Sequence, residues 1–448
     1  MHPYIARRTK LISQIQAQGG GVAIIPTAPE VRRNSDAEYP FRHDSYFYYL
    51  SGFTEPEAVV VLVIGKDGAS QSILFCREKN LEREIWDGYR YGPEAAASTF
   101  GFDAAFPVAA LSTEMPKLLA DAPAIFYSHD HLTHYDQQLQ DWLRSVRAMN
   151  RSGVTTPATI IDLHRLLDEM RLFKDADEIA LMRRAGAISA EAHKRAMRIS
   201  RPGLHEYALE AEILHEFRRQ GSQAPAYGSI VAAGANACVL HYSANNAEIK
   251  DGDLVLIDAG CEFDSYAADI TRTFPANGKF TAPQKTLYEI VLASQSAALE
   301  LTRTGQHYKA GHEAAVKVLA QGMLDTGLLS RDKVGSLEDV ISSGAYKQFF
   351  MHGTGHWLGM DVHDVGQYRD LTAPHAEGTE KPYRVLQPGM VVTIEPGIYV
   401  RPAEDIPEQY WNIGIRIEDD VLVTEKGFEI FTSDVPSSVV DIEALMRK

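Results

Sequence analysis

Apolar and polar positions alternate along the first third of the chain in two rhythms. Helical spacing marks "MHPYIARRTKLISQIQAQ", "TEMPKLLAD" and "YDQQLQDWLRSVRAMN", whereas "GVAIIP", "YFYYLSG", "AVVVLVIG" and "SILFCR" are short apolar runs of strand length. Interleaved strands and helices predict an α/β domain. Gly, Ser, Thr and Pro cluster in "NRSGVTTPAT", and a connecting helix, "IIDLHRLLDEMRLF", follows. The division is placed at 172/173, giving an N-terminal domain, 1–172, and a C-terminal domain, 173–448.

Asp175 with Glu178 three residues on forms a capping box, so a helix starts there. Ile179, Met182, Ala185, Ile188, Ala192, Ala196 and Ile199 make one apolar stripe up to the "RPG" stop. A second helix covers "EYALEAEILHEFRRQG", and strands follow at "GSIVAAG", "DLVLIDAG" and "SYAADITRTF". Helical patterns near 283–303 and 309–326 lead to a second strand-rich block from about 350 to 431. Helices then strands, twice over, predict an α+β domain in two similar halves. The repeat is visible in the residues: "DGDLVLIDAG" is echoed by "PGMVVTIEPG", which puts Asp258 and Glu395 at one motif position. Each copy precedes a strand with a further embedded acid, Asp269 in "AADITRTF" and Glu418 in "GIRIEDDVLV".

A net charge of −16 disfavours nucleic acid and anionic membranes as partners. Three cysteines, Cys76, Cys238 and Cys261, without CxxC spacing point away from a disulfide framework or a thiolate zinc site. The first residues lack the unbroken apolar stretch of a signal peptide, and no apolar run reaches spanning length, so a cytoplasmic location is expected.

Four carboxylates at matched strand positions repel one another in a core unless cations sit among them, and two divalent ions with bridging oxygens satisfy that need. "FMHGTGHWLGMDVHDVG" adds His352, His356 and His363 just before the second half's strands. Four carboxylates and one imidazole form a hard donor set, which favours two Mn²⁺ ions per subunit, with Co²⁺ or Zn²⁺ as substitutes.

These motifs resemble the pita-bread metallopeptidase family, which includes methionine aminopeptidase, creatinase, prolidase and aminopeptidase P. The resemblance implies a pita-bread catalytic domain with pseudo-twofold halves behind the α/β domain. It implies metal ligation by Asp258 in "LIDAG", Asp269 in "DITRTF", His356 in "HGTGHWLG", Glu395 in "TIEPG" and Glu418 in "IRIED", with Asp269 and Glu418 bridging. The aminopeptidase P branch is the nearest match, from "APEVRRNSDAEYPFRHDSYFYYLSGFTEPEAVVVL" through "EIWDGYRYG" to "PEQYWNIGIRIEDD". Thr354-Gly355 stands where that branch usually has Leu-Ser.

The branch implies hydrolysis of the bond between an N-terminal residue and a following proline by a hydroxide bridging the two ions. Glu395 is then the proton carrier, and His363 and His352 stabilise the oxyanion. His241, Tyr227, Tyr399 and Arg416 fall at matched substrate-pocket positions. Trp86 matches a position reaching a neighbouring subunit's active site, which implies a homo-oligomer, tetramer or dimer, and assigns the N-terminal domain oligomerisation and a wall of the substrate path.

Two alternatives remain: a prolidase restricted to Xaa-Pro dipeptides, and a pita-bread binding module without metals. "HDHLTH" has the histidine spacing of another metallohydrolase signature, but Thr133 replaces its aspartate, so His129 and His131 are expected to be loop residues. "GTGHWLG" lacks the glycine spacing and the βαβ setting of a dinucleotide site.

Overall fold

The structure, a computed structural model, describes residues 3–375 and 378–447. The chain divides into two compact units, Met1–Met170 and Arg171–Lys448, two residues before the division expected from composition.

The N-terminal unit is built on a six-stranded mixed sheet. Its order is Ala104–Pro107, Ser70–Cys76, Val59–Ile64, Gly21–Pro26, Ile125–Phe126 and Ile160–Ile161. Val59–Ile64 lies between two antiparallel partners with five of its six residues buried, as an unbroken apolar run requires when both faces are covered. Helices Leu111–Leu119 and Thr133–Ala148 close one face through Leu111, Met115, Leu139, Trp142 and Val146.

"YFYYLSG", expected as a strand, is a helix, Ser45–Ser51. All seven residues are buried, so aromatic content says nothing about period, and the caps decide: Asp44 accepts the Phe47 N–H, and Gly52 ends the helix at φ 66°. Leu81–Asp87 and Gly92–Phe100 are two further helices that the apolar pattern did not mark.

The C-terminal unit opens with the helix Ala176–Ile199, whose Asp175–Glu178 capping box is formed as expected. Met182, Ala185, Ile188, Ala192 and Ala196 are its buried stripe. Helices Glu206–Arg219, Ala282–Leu301 and Ala310–Asp325 complete the helical layer.

Two three-stranded sheets carry the repeat. In one, Leu254–Asp258 lies between Ile230–Ala233 and Thr271–Pro275; in the other, Asp419–Thr424 lies between Val391–Ile394 and Gly427–Ile430. Leu254, Val255, Leu256 and Ile257 are at most 3% exposed, and such side chains stabilise by about 1.5–3 kcal/mol each on burial. That apolar run anchors the strand whose last residue is Asp258.

The second acid of each half differs from expectation. Asp269 and Glu418 fall just before the strands Thr271–Pro275 and Asp419–Thr424 rather than within them. The Asp269 N–H donates to the Asp420 carboxylate at 3.1 Å, and the Glu418 N–H donates to Thr271 O at 3.0 Å, so each backbone is tied to the other half instead of to its own ladder. The second strand-rich block likewise starts late: 350–390 is mostly irregular, and its first strand begins at Val391.

Candidate metal centre

A cleft of about 340 Å³ in the C-terminal unit is lined by Asp258, Asp269, Glu395 and Glu418 together with His241, His352, His356, His363 and Arg416. Residues as far apart in sequence as His241 and Glu418 share this one cleft. Tyr227 and Tyr399 reach it by hydrogen bonds. Trp86 is in the N-terminal unit, 80% exposed on the helix Leu81–Asp87, and is not part of the cleft lining.

The acids are held from behind. Asp258 Oδ2 accepts from Arg416 Nη2 at 2.6 Å, and its Oδ1 lies 2.5 Å from the Tyr227 hydroxyl. The same hydroxyl is 2.5 Å from Asp269 Oδ1, yet it has one proton to give. Glu418 Oε2 accepts from Thr271 Oγ1 at 2.6 Å, and Thr271 in turn accepts from Arg416 Nε at 3.1 Å. Arg416 is 4% exposed and also donates to Tyr399 Oη at 3.1 Å.

Burial and mutual repulsion set the charges. Glu418 is pushed well above the carboxylate range by burial and by Asp269, Glu395 and Asp258. Burial also raises Asp258, and Glu395 rises to about 7. Asp269 goes the other way: burial would raise it, but the His356 contact and the Tyr227 hydroxyl outweigh burial. His356 is disfavoured as a cation by burial, yet Asp269 and Glu395 lift it to about 9.

The ring orientation of His356 follows from its backbone bond. Its Nδ1–H donates to Trp357 O at 2.9 Å, which leaves Nε2 facing Asp269 Oδ2 at 3.4 Å and Glu395 Oε1 at 3.9 Å. Ligand atoms of Asp269, His356 and Glu418 all lie within 4.8 Å of one another. A divalent cation suits these residues: it relieves the repulsion between the two acids and takes the place that the Nε2 proton otherwise fills.

The other two histidines are placed differently. His352 is brought down to about 4 by burial and Arg416, so it is neutral; its Nδ1–H donates to Gly353 O at 2.6 Å and its Nε2 accepts from the Tyr399 hydroxyl at 2.9 Å. His363 is exposed to the cleft, its ring 4.1 Å from that of His356, and burial and His356 lower it. Among the described residues, no hydrogen bond engages the His363 ring.

Several supporting groups were not picked out from the sequence. Thr271 lies two positions after Asp269, and the period of two along an extended segment is the signal that puts it on the same face. Tyr308 donates to Gly355 O at 2.5 Å and packs on Trp357, bracing the histidine loop; nothing in its local sequence marks it. Gly355 itself is explained by contact: a Cβ there would lie 1.9 Å from Thr393 O. The "HDHLTH" histidines are in the N-terminal unit, His129 beside Asp136 at 3.2 Å and His131 beside Asp44 at 2.6 Å.

Residues 180–425 match the model of metallopeptidase family M24, and residues 4–127 match that of the aminopeptidase P N-terminal domain. The Xaa-Pro aminopeptidase of Escherichia coli (strain K12) is 46% identical over 440 residues, covering 98% of this chain and 96% of that protein. Aminopeptidase PepP of Pseudomonas aeruginosa superposes with a TM-score of 0.93 at 48% identity, over 99% of this chain and 97% of that one. Zinc-substituted E. coli aminopeptidase P in complex with product gives 0.94 at 45% identity, over 100% and 98% of the two chains. An M24 match over most of the pita-bread unit, joined to near full-length similarity, places this chain in metallopeptidase family M24 as a metal-dependent peptidase with an aminopeptidase P N-terminal domain.

Proposed function

We propose that this chain is an Xaa-Pro aminopeptidase, releasing the first residue of peptides with proline in second position. One observation carries the reading: two matched acid pairs, Asp258/Asp269 and Glu395/Glu418, converge with His356 in one cleft of a chain similar along its length to Xaa-Pro aminopeptidases. Those five residues are the ligands for two divalent ions, and the hard donor set favours Mn²⁺. When bound, the ions polarise the scissile carbonyl and lower the pKa of water toward about 7.

The protein's own groups do the rest. A Glu395 carboxylate oxygen takes the proton of the attacking water and passes it to the proline nitrogen as the peptide bond breaks. His363, whose ring has no other hydrogen bond among the described residues, donates its N–H to the carbonyl oxygen as negative charge develops there. His352 has both nitrogens engaged, so it serves chiefly by holding Tyr399 and flanking Glu395, 3.7 Å away. Arg416 and Tyr227 fix the orientation of Asp258, and His241 forms the substrate side of the cleft.

Trp86 stands among other exposed apolar residues, Leu81, Ile85 and Tyr89, which supports its assignment to a contact with a second subunit in a dimer or tetramer. Among the described residues no helix is long and apolar enough to cross a membrane, and all three cysteines are free and buried, in keeping with a cytoplasmic protein.

The test is a comparison of peptides. Purified, Mn²⁺-loaded protein is expected to release the first residue from Xaa-Pro-Xaa tripeptides and to act much more slowly on Xaa-Pro dipeptides and Xaa-Ala-Xaa controls. Preference for the dipeptide identifies a prolidase, and no release from any of them refutes the proposal.

A further inference from the structure

His241 stands on a stretch with little regular structure of its own. After the short 3-10 turn Gly234–Cys238 the chain runs without helix or strand to an isolated bridge between Glu248 and His205. Leu240 and His241 line the cleft from this stretch, and His241 is exposed. Something else must hold an exposed imidazole in place.

The structure assigns that task to Glu206, the first residue of the helix Glu206–Arg219 and 0% exposed. Its Oε1 accepts from Ala233 N at 2.8 Å and from Asn236 Nδ2 at 3.0 Å. Its Oε2 accepts from the Tyr242 hydroxyl at 2.8 Å and from Ala247 N at 2.9 Å. The Glu206 N–H returns a bond to Ala247 O at 3.0 Å. One side chain thus ties the start, the middle and the end of the loop, and Tyr242 is the immediate neighbour of His241.

Glu206 makes no ion pair among the described residues, so its charge is satisfied by these donors alone. A charged acceptor that is fully buried and spent entirely on one loop is an expensive choice unless that loop's geometry matters. Two further contacts pin the same loop: Asn245, at φ 45°, accepts from Val231 N at 3.0 Å and donates to Ser229 O at 2.8 Å. Glu206 is therefore a positioning residue for His241, acting on the substrate without touching it. This rests on the assignment of His241 to the substrate side of the cleft.

Glu206→Gln keeps the shape and turns one oxygen into an N–H₂ that faces a backbone N–H, of Ala233 or of Ala247, so at least one backbone bond is lost whichever way the amide lies. A displacement of about 1 Å in a substrate-positioning group costs up to about a hundredfold in rate. The expected result for Glu206→Gln is a tenfold to hundredfold fall in kcat/KM on an Xaa-Pro-Xaa tripeptide, with bound metal unchanged. The loss should divide between kcat and KM as it does for His241→Ala. In a His241→Ala background, Glu206→Gln should change kcat/KM by less than about threefold, because the residue it positions is gone. A crystal structure of Glu206→Gln should show residues 240–246 displaced while the strand Leu254–Asp258 stays in place.

Tyr242→Phe removes the donation to Glu206 and the bond accepted from Asn236 Nδ2 at 3.1 Å, and serves if Glu206→Gln does not fold; it should show the same pattern at a few-fold level. Wild-type kcat/KM in Glu206→Gln or Tyr242→Phe overturns the proposal, as does an equal loss with and without His241. If His241→Ala itself has wild-type kcat/KM, the substrate role of His241 fails and the proposal with it. An unmoved loop in the Glu206→Gln structure overturns the positioning role by itself, whatever the enzyme cleaves.

Discussion

Replacing Asp364 by Asn removes the anion at the centre of a buried ion cluster beside His363. Asp364 Oδ1 lies 2.6 Å from Arg171 Nη2 and Oδ2 lies 2.9 Å from Lys174 Nζ, and all three side chains are 1% exposed. Arg171 also meets Asp361, at 2.8 Å, but Lys174 has no second acid among the described residues. Removing one partner of a buried pair costs about 3–5 kcal/mol, because the remaining charge is left without compensation. For a unit of this size that corresponds to a Tm lower by roughly 6–20 °C, read by calorimetry at pH 7.

The pH dependence has a definite sign. Burial would raise the Asp364 carboxyl, but Lys174 and Arg171 outweigh it and hold the group below the usual range. A depressed folded pKa stabilises above the unfolded value, about 3.9, and that stability is lost as pH falls through the folded pKa. The gap between wild type and Asp364→Asn should therefore be constant from pH 7 to 5 and narrow below about pH 4. A shift under 2 °C at pH 7, or a gap that widens in acid, refutes this account of the cluster.

Glu395→Gln should keep its circular dichroism spectrum and lose kcat by about 10²–10⁴-fold, measured by release of the first residue from a tripeptide. Gly260→Ala places a Cβ 1.7 Å from Ala268 O, between the segments carrying Asp258 and Asp269; about 1–3 kcal/mol of destabilisation and reduced metal content are expected in denaturant titration and elemental analysis. His129→Ala and His131→Ala, alone or together, should leave turnover and bound metal at wild-type levels, since both rings pair with acids of the N-terminal unit.

The acids of the candidate site are legible in the sequence because the chain repeats a local pattern. An apolar run ending in an acid, then one residue and Gly, occurs twice, and both copies fold into sheet strands that end at the cleft, with Asp258 and Glu395 at their tips. Asp269 and Glu418 were readable as embedded acids, but not their position between strands, because their backbone bonds go to the opposite half, which no local pattern encodes. The helix Ser45–Ser51 is not legible in the sequence, since a fully buried aromatic segment has no polar face from which to take a period. Glu206, Tyr308 and the Arg171–Asp364–Lys174 cluster act over distant stretches of sequence, and only the folded chain brings their partners together.

The proposed function requires two divalent ions among Asp258, Asp269, His356, Glu395 and Glu418. Crystals of Mn²⁺-loaded protein with a proline-containing product, measured at the manganese absorption edge, test it directly. Two anomalous peaks within coordination distance of those five side chains, with Asp269 and Glu418 touching both, are the predicted result. No peak in the cleft, or manganese bound only by other residues, contradicts it.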